Sequence, residues 1–152
     1  CSSDVCSSDL NRISGFQEAC DAVDGLTART LAVQKGDSIL DAAISEIMAQ
    51  DNPPTALCFH QDSQAIPLFF RLQRSGLSVP GDISVTGFDD STFAKEAELT
   101  TVRQRPYDMA VDAAQKALAL IEGQPIEEPF ETFPVQLQVR NSTAKPRTAP
   151  LL

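Results

Sequence analysis

The chain has 152 residues and is acidic, with 21 Asp and Glu against 12 Lys and Arg and a formal net charge of −9. Nucleic acid is bound chiefly through clustered Lys and Arg, and the basic residues here are scattered, so we do not expect these residues to contact DNA or RNA. No apolar run approaches the length of a membrane span and no secretory leader opens the chain, which predicts one compact, soluble, cytoplasmic domain.

The four cysteines fall into two groups. Cys1 and Cys6 lie in the imperfect repeat CSSDVCSSDL, and the codons for CSSDL resemble the end of a sequencing adapter. We therefore interpret residues 1–10 as an assembly artefact and leave them out of the fold prediction. Cys20 and Cys58 fall on apolar faces and are predicted to be reduced core cysteines. Zinc needs two pairs of Cys or His, of which only the first is loosely present, so we expect no metal and no cofactor.

The first third of the chain carries two helical patterns. Apolar residues at three- and four-residue spacing predict a helix from Asn11 that ends near Gly25, with a stripe of Ile13, Phe16, Cys20 and Val23. LAV at 31–33 is a candidate strand. DNPP at 51–54 would end a second helix that Ser38 is placed to cap, and its inward stripe would be Leu40, Ala43, Ile44, Ile47 and Met48.

The middle of the chain predicts a strand–helix–strand unit. Residues 56–59 form a continuous apolar run typical of a strand buried on both faces, and ISVTGF at 83–88 is the next buried strand. Between them Asp62 is placed to cap a helix that runs through Ser75, is bent by Pro67, and turns inward Ile66, Phe69, Phe70 and Leu72. A right-handed crossover makes the two strands parallel.

The last third predicts two strands and a helix. LTTVRQ at 99–104 is a short strand, and Pro106 suits the first turn of a helix over 107–122 with a face of small residues at Ala110, Ala113, Ala114 and Ala117. FPVQLQVR at 133–140 alternates apolar and polar residues, which predicts a half-exposed edge strand. The polar tail from Asn141 is expected to be loose.

Together these patterns predict a three-layer α/β fold, in which a mostly parallel sheet is flanked by helices. Gln61 and Asp62 follow the first buried strand, and Asp89 and Asp90 follow the second. Parallel strands end at the same edge of a sheet, which is where open α/β sheets bind ligands. The aspartate pair is therefore a candidate for catalysis, metal binding, hydroxyl binding or capping of the next segment.

Five segments occur in a fixed order, namely RISGF, PPTALCFHQD, RSGLSVPGDISVTGFDD, LTTVRQ and PVQLQVRNST. With the alanine-rich helix, they resemble the effector-binding domain of LacI/GalR-type bacterial transcription regulators over residues 11–143. The resemblance implies an incomplete lobe of the type I periplasmic-binding-protein kind, with the helix 107–122 packing on an absent N-terminal lobe. Residues 144–152 are left as the loose tail that their polarity and prolines predict. The resemblance also implies a homodimer, formed through residues 62–75 and 91–97, that binds operator DNA through a separate N-terminal headpiece.

The resemblance further implies the residues that bind a small-molecule effector. Arg12 of RISGF matches an arginine that pairs with polar ligand groups, and Asp89 matches the carboxylate that accepts hydrogen bonds from sugar hydroxyls or nucleobase nitrogens. Gln61 stands where the family commonly has asparagine, and Gln104 matches a glutamine near the cleft. An ionised carboxylate only accepts hydrogen bonds and a guanidinium only donates them, which suits a polar, sugar-like effector. Asp90 is expected to be a loop or capping residue.

Two other functions stay open on sequence alone. One is an enzyme that uses Asp89 and Asp90 as an acid–base or metal pair, although adjacent residues of a strand point to opposite faces. The other is a periplasmic sugar-binding protein of the same fold, which would carry an export signal before Asn11 instead of a helix-turn-helix. His60 is expected to be a packed or cleft-rim histidine, and Cys58 an inert thiol rather than a nucleophile.

Overall fold

The computed structural model describes residues 7–31, 42, 44–46 and 48–148. Its elements are α1 (Ser7–Asp21), β1 (Ala56–Cys58), α2 (Asp62–Arg74), β2 (Ser84–Thr86), α3 (Thr92–Glu96), β3 (Thr101–Arg103), α4 (Pro106–Ile121) and β4 (Gln136–Gln138). The chain divides into two compact units, Cys1–Pro54 with Pro150–Leu152 and Thr55–Ala149. Among the described residues no helix is both long and apolar enough to cross a membrane.

The first unit contains α1. This helix begins at Ser7, before the predicted start at Asn11 and inside the segment that we interpret as an artefact. Cys20 is buried, as predicted, but Phe16 and Val23 of the same stripe are exposed. The helix therefore follows the predicted period, although only part of its apolar stripe is covered.

The second predicted helix of this unit falls largely on residues that the structure does not describe. Helical conformation is present at residues 42, 44–46 and 48. The start at Ser38, most of the candidate strand at 31–33, and the stripe residues Leu40, Ala43 and Ile47 lie outside the described residues. Cys1 and Cys6 lie outside them as well.

The second unit is built on a parallel sheet, as predicted. β1 pairs with β2 in parallel and in register along their length. Two isolated parallel bridges, Thr86 to Thr100 and Asp89 to Arg103, pair the end of β2 and the residues after it with β3 and the residue before it. β4 pairs with β3 in the antiparallel sense. β2 thus lies between β1 and β3, and these three strands end at one edge of the sheet.

Helices α2 and α3 form the core of this unit with β2. α2 contacts both β2 and α3. The buried apolar side chains come from both helices and from the strand region, namely Ala65, Leu68, Leu72, Ile83, Val85, Ala94 and Leu99. α2 ends at its predicted place, with Ser75 as C-cap and Gly76 in the left-handed region at a φ of 86° that favours glycine.

The inward face of α2 differs in part from the prediction. Leu72 is buried as expected, but Phe70 is 49% exposed. Asp62 is not the cap of α2 but its first residue, and its side chain is buried. The buried residues of α2 are three or four positions apart, beginning with Asp62 and continuing with Ala65 and Leu68. Phe70 lies off this stripe and therefore faces outward.

The prediction that β1 is buried on both faces is wrong. Ala56 and Cys58 are exposed, and Leu57 is half-buried. α2 packs on β2 rather than over β1, and β1 is the outer strand of its sheet among the described residues. Cys58 is therefore an exposed thiol and not the core cysteine that the apolar run suggested.

The C-terminal strand is exposed, and the segment after it is anchored. β4 covers only Gln136–Gln138, and Leu137 and Val139 of the predicted apolar face are exposed. Ser142 is buried, and its carbonyl accepts from the N–H of Val85 at 2.9 Å. Arg147 Nη1 donates to the carbonyl of Asp82 at 2.5 Å. Residues 142–147 are thus tied to β2 and the loop before it, contrary to the loose tail that polarity predicted.

Helix α4 is confirmed at its predicted place, with Pro106 in the first turn. No residue of this helix is buried. The four alanines of its small face are all exposed, namely Ala110, Ala113, Ala114 and Ala117. Within the described residues this face is therefore exposed, and its packing on an N-terminal lobe stays a prediction.

Candidate ligand site at the carboxyl edge of the sheet

Three polar residues follow the ends of three parallel strands. Gln61 comes after β1, Asp89 after β2 and Gln104 after β3. Parallel strands end on the same side, so these positions share one edge of the sheet. Neighbouring strand ends are joined by two backbone hydrogen bonds, from Asp62 to the Phe88 carbonyl at 2.8 Å and from Asp89 to the Val102 carbonyl at 2.9 Å.

Asp89 and Gln104 form a hydrogen-bonded pair at this edge. Gln104 Nε2 donates to Asp89 Oδ1 at 2.7 Å. Asp89 is exposed and Gln104 is half-buried. The bond turns the amide nitrogen toward the carboxylate, so the pair offers a second carboxylate oxygen and an amide carbonyl as acceptors. This arrangement suits a ligand that carries hydroxyl or N–H groups.

Gln61 is the N-cap residue of α2, with an extended backbone at φ −149° and ψ 140°. Its side chain makes no capping hydrogen bond, and its Oε1 accepts from Ser63 Oγ at 3.4 Å. His60, next to it, is half-buried, which agrees with a rim position. The side-chain amide of Gln61 therefore does not cap the N-terminus of α2.

Arg12 belongs to the first unit. It is half-buried on α1. Its part in a ligand site with the three strand-end residues stays a prediction. No group of three or more His, Cys, Asp or Glu within the described part of the chain is arranged to hold a metal ion.

The backbone that carries the aspartate pair is strained. Asp89 has a φ of 122° and Asp90 a φ of 56°. For residues other than glycine such conformations cost about 1–3 kcal/mol each, and they persist only where the surroundings hold them. They are most frequent at functional sites. Contacts beneath the edge of the sheet must therefore hold Asp89 and Asp90 in these conformations.

Asp90 supplies these contacts. Its side chain is 1% exposed, its Oδ2 accepts from Arg103 Nε at 2.6 Å, and its Oδ1 accepts from Arg140 Nη2. Lys95 Nζ lies 3.8 Å from the same carboxylate. Burial raises the pKa of Asp90, but the hydrogen bonds and charges of Arg140 and Arg103 outweigh it and lower the pKa below its ordinary value.

Asp90 lies in the loop between β2 and α3, in line with the prediction of a loop residue, and its carboxylate is the centre of an ion-pair network that the sequence did not reveal. The same geometry weighs against an enzyme that uses the aspartate pair. Asp89 is exposed at the edge, whereas Asp90 is buried and neutralised by two arginines. The two carboxylates therefore do not face one reacting atom.

Asp62 is a second buried carboxylate whose role the sequence did not reveal. It is 1% exposed, its Oδ1 accepts from Thr101 Oγ1 at 2.6 Å, and its Oδ2 accepts from the N–H of Ser91 at 2.8 Å. One carboxylate thus connects the start of α2, the loop after β2, and β3. An aspartate directly after a buried strand was the available signal, but a capping role explained it equally well.

Gly87 lies against this carboxylate, which gives a testable consequence for stability. A Cβ at Gly87 would lie 2.2 Å from Asp62 Oδ1 and 2.9 Å from Leu99 Cδ2. We expect Gly87→Ala to lower the free energy of unfolding by about 2–3 kcal/mol, measured by urea denaturation of the 152-residue chain. Gly15→Ala is the matched control, because nothing lies within 4 Å of a Cβ there. Equal stability of the two variants would contradict the packing described.

The family of the chain follows from comparison with known proteins. Residues 1–143 match the model of the periplasmic binding protein-like domain, and the chain belongs to this family. The HTH-type transcriptional regulator GalR of Escherichia coli (strain K12) is 33% identical over 96% of this chain and 44% of its own length. The arabinose metabolism transcriptional repressor of Geobacillus stearothermophilus is 40% identical over 62% of this chain and 27% of its own length.

Solved structures of transcriptional regulators are also similar to this chain. A LacI family transcriptional regulator from Bifidobacterium animalis subsp. lactis superposes with a TM-score of 0.78 at 26% identity, over 91% of this chain and 51% of that one. The regulator CelR in complex with cellobiose gives a TM-score of 0.74 at 28% identity, over 89% and 42%.

These comparisons confirm both the α/β lobe and the LacI-family resemblance. The chain spans less than half the length of the curated relatives GalR and the arabinose metabolism repressor.

Proposed function

We propose that the chain is the C-terminal part of the effector-binding domain of a LacI/GalR-type repressor. A small polar effector would bind between two lobes, at the edge formed by Gln61, Asp89 and Gln104. The main support is that three parallel strands deliver these three polar residues to one edge, with Asp89 bonded to Gln104 at 2.7 Å. That edge is the usual ligand position in open α/β sheets.

The chemistry of the edge favours a sugar or a nucleobase-like molecule. Asp89 and Gln104 present acceptors, so hydroxyl and N–H groups of an effector would donate to them. Arg12, which matches a ligand-pairing arginine of the family, would add donors. Among the relatives, one structure is a complex with cellobiose and one protein is named for arabinose metabolism, which supports a sugar-like effector.

The regulatory output would come from parts that this chain does not contain. An N-terminal headpiece would bind operator DNA, and the effector would act by favouring one arrangement of the lobes over the other. A cytoplasmic homodimer would form through α2 and residues 91–97. The exposure of Phe70 on α2 and of Phe93 on α3, 49% and 70%, supports an interface there.

The test uses the full-length protein encoded by the gene. Arabinose, cellobiose and adenosine are each titrated by calorimetry, and the complex with the DNA of its own promoter is followed by fluorescence anisotropy. We expect one of these ligands, or a close chemical relative of one, to bind and to change the affinity for DNA. Binding of promoter DNA that no sugar or nucleoside alters would contradict the proposal.

A periplasmic sugar-binding protein of the same fold is not favoured, because the relatives found here are transcription regulators. The genomic sequence upstream of codon 11 separates the two. We expect it to encode an N-terminal lobe preceded by a helix-turn-helix, and it would also show whether residues 1–10 are an adapter artefact. An export signal would instead assign the chain to the periplasm.

A further inference from the structure

The Asp89–Gln104 pair at the edge is backed by a second pair directly behind it. Asp90 follows Asp89 in the chain, and Arg103 precedes Gln104. Arg103 Nε donates to Asp90 Oδ2 at 2.6 Å, while Gln104 Nε2 donates to Asp89 Oδ1 at 2.7 Å. The Asp89–Gln104 pair and the Asp90–Arg103 pair thus cross-link the same two segments of chain.

Asp90, the buried member of the second pair, is also fixed from other directions. Arg140 donates to the second oxygen of Asp90, and its Nη1 donates to the carbonyl of Leu99 at 2.7 Å. The N–H of Asp90 lies 3.4 Å from Thr101 Oγ1. These bonds come from β3 and from the segment after β4, so Asp90 is held by elements on both sides.

We infer that Arg103, through its ion pair with Asp90, is a positioning residue that fixes the Asp89–Gln104 pair for the effector. This inference rests on the proposed function for its biological meaning, but its structural part does not need a ligand. Without Arg103, Asp90 would keep its bond from Arg140 but lose its link to the residue that precedes Gln104. The strained segment of Asp89 and Asp90 would then be able to shift, and Asp89 would move away from Gln104. Arg103 itself is 44% exposed, and the bond described for its side chain goes to Asp90 rather than to Asp89 or Gln104.

The first test observes the pair directly in the ligand-free full-length protein. Amide signals of Gln104 Nε2 are recorded by ¹⁵N NMR and assigned through their loss in Gln104→Ala. We expect the carboxylate bond to separate the two proton signals in the parent chain, and Arg103→Met to bring them to the positions of a solvated glutamine amide. Arg103→Lys, which keeps the cation, should restore most of the separation.

Arg105→Met is the matched control. Arg105 is 49% exposed and forms one ion pair, with Asp108 at 2.7 Å, but it has no bond to Asp90 among the contacts described. We expect this variant to leave the Gln104 signals unchanged. Unchanged Gln104 signals in Arg103→Met, or the same change in both variants, would overturn the inference.

The second test measures the effect on binding. In the full-length protein titrated with arabinose and cellobiose, we expect Arg103→Met to raise the Kd of the sugar that binds about tenfold, and Arg105→Met to leave it unchanged. The loss should disappear in an Asp89→Ala background, because the carboxylate being positioned is gone. Additive losses would contradict a positioning role. If neither sugar binds, the amide signals still decide the inference, so it and the proposed function fail separately.

Discussion

Asp89→Ala is expected to weaken effector binding about 100-fold in the full-length protein while leaving its fold intact, a loss typical of removing one partner of a charged hydrogen bond in a binding site. The carboxylate is exposed, and the bond described for it is the one from Gln104, so its removal should cost the folded state about 1 kcal/mol or less. Calorimetric titration gives the affinity, and thermal unfolding gives the stability.

Asp108→Ala is the control for this prediction, because Asp108 is likewise an accessible aspartate with one ion pair, to Arg105. We expect this variant to bind effector normally. Arg12→Ala should weaken binding as Asp89→Ala does, since it would remove a donor from the same ligand. Normal affinity in both Asp89→Ala and Arg12→Ala would remove these residues from the site.

Asp90→Ala is expected to lower the free energy of unfolding by about 3 kcal/mol, the usual cost of removing one partner from a buried ion pair. The change leaves the Arg140 side chain, which is 14% exposed, without its carboxylate and frees the strained backbone. Urea denaturation of the 152-residue chain at neutral pH measures the loss. Asp108→Ala serves again as control, and a similar small change in both variants would contradict the buried network.

The pH dependence of stability follows from the same residue. Because the pKa of Asp90 in the folded chain lies below its ordinary value of 3.8, the ionised carboxylate favours folding. This contribution is complete above the pKa of the unfolded chain and is lost as pH falls through the lower pKa of the folded chain. We expect the parent to lose more stability than Asp90→Asn between about pH 5 and pH 2. Parallel acid denaturation curves for the two would contradict this assignment.

The edge positions could be predicted from the sequence because they depend on local pattern and chain connectivity. A short apolar run, a helix and a second apolar run require a parallel crossover, and this places Gln61 and Asp89 at one edge. LTTVRQ was predicted as a strand, but it was the family resemblance that put Gln104 near the cleft. The structure confirms these placements, while the ligand roles came from the family resemblance.

The buried contacts that hold the edge residues in place could not be predicted, because each depends on a partner far along the chain. Asp90 meets Arg140, and Asp62 meets Thr101, across separations that no local pattern encodes. Ser142 looked like part of a polar tail, yet its hydroxyl donates to the Val85 carbonyl at 2.6 Å. The burial of Cys58 was predicted wrongly because the local apolar run was taken to mean that the strand is covered on both faces.

Gln61, Asp89 and Gln104 are proposed to form one ligand site, and NMR titration of the isotope-labelled full-length protein with its effector tests this most directly. We expect the largest shifts at these three residues and at Arg12, with saturation at one equivalent per chain. Shifts confined to other surfaces, such as the outer side of α2 or α4, with none at the carboxyl edge of the sheet, would contradict it.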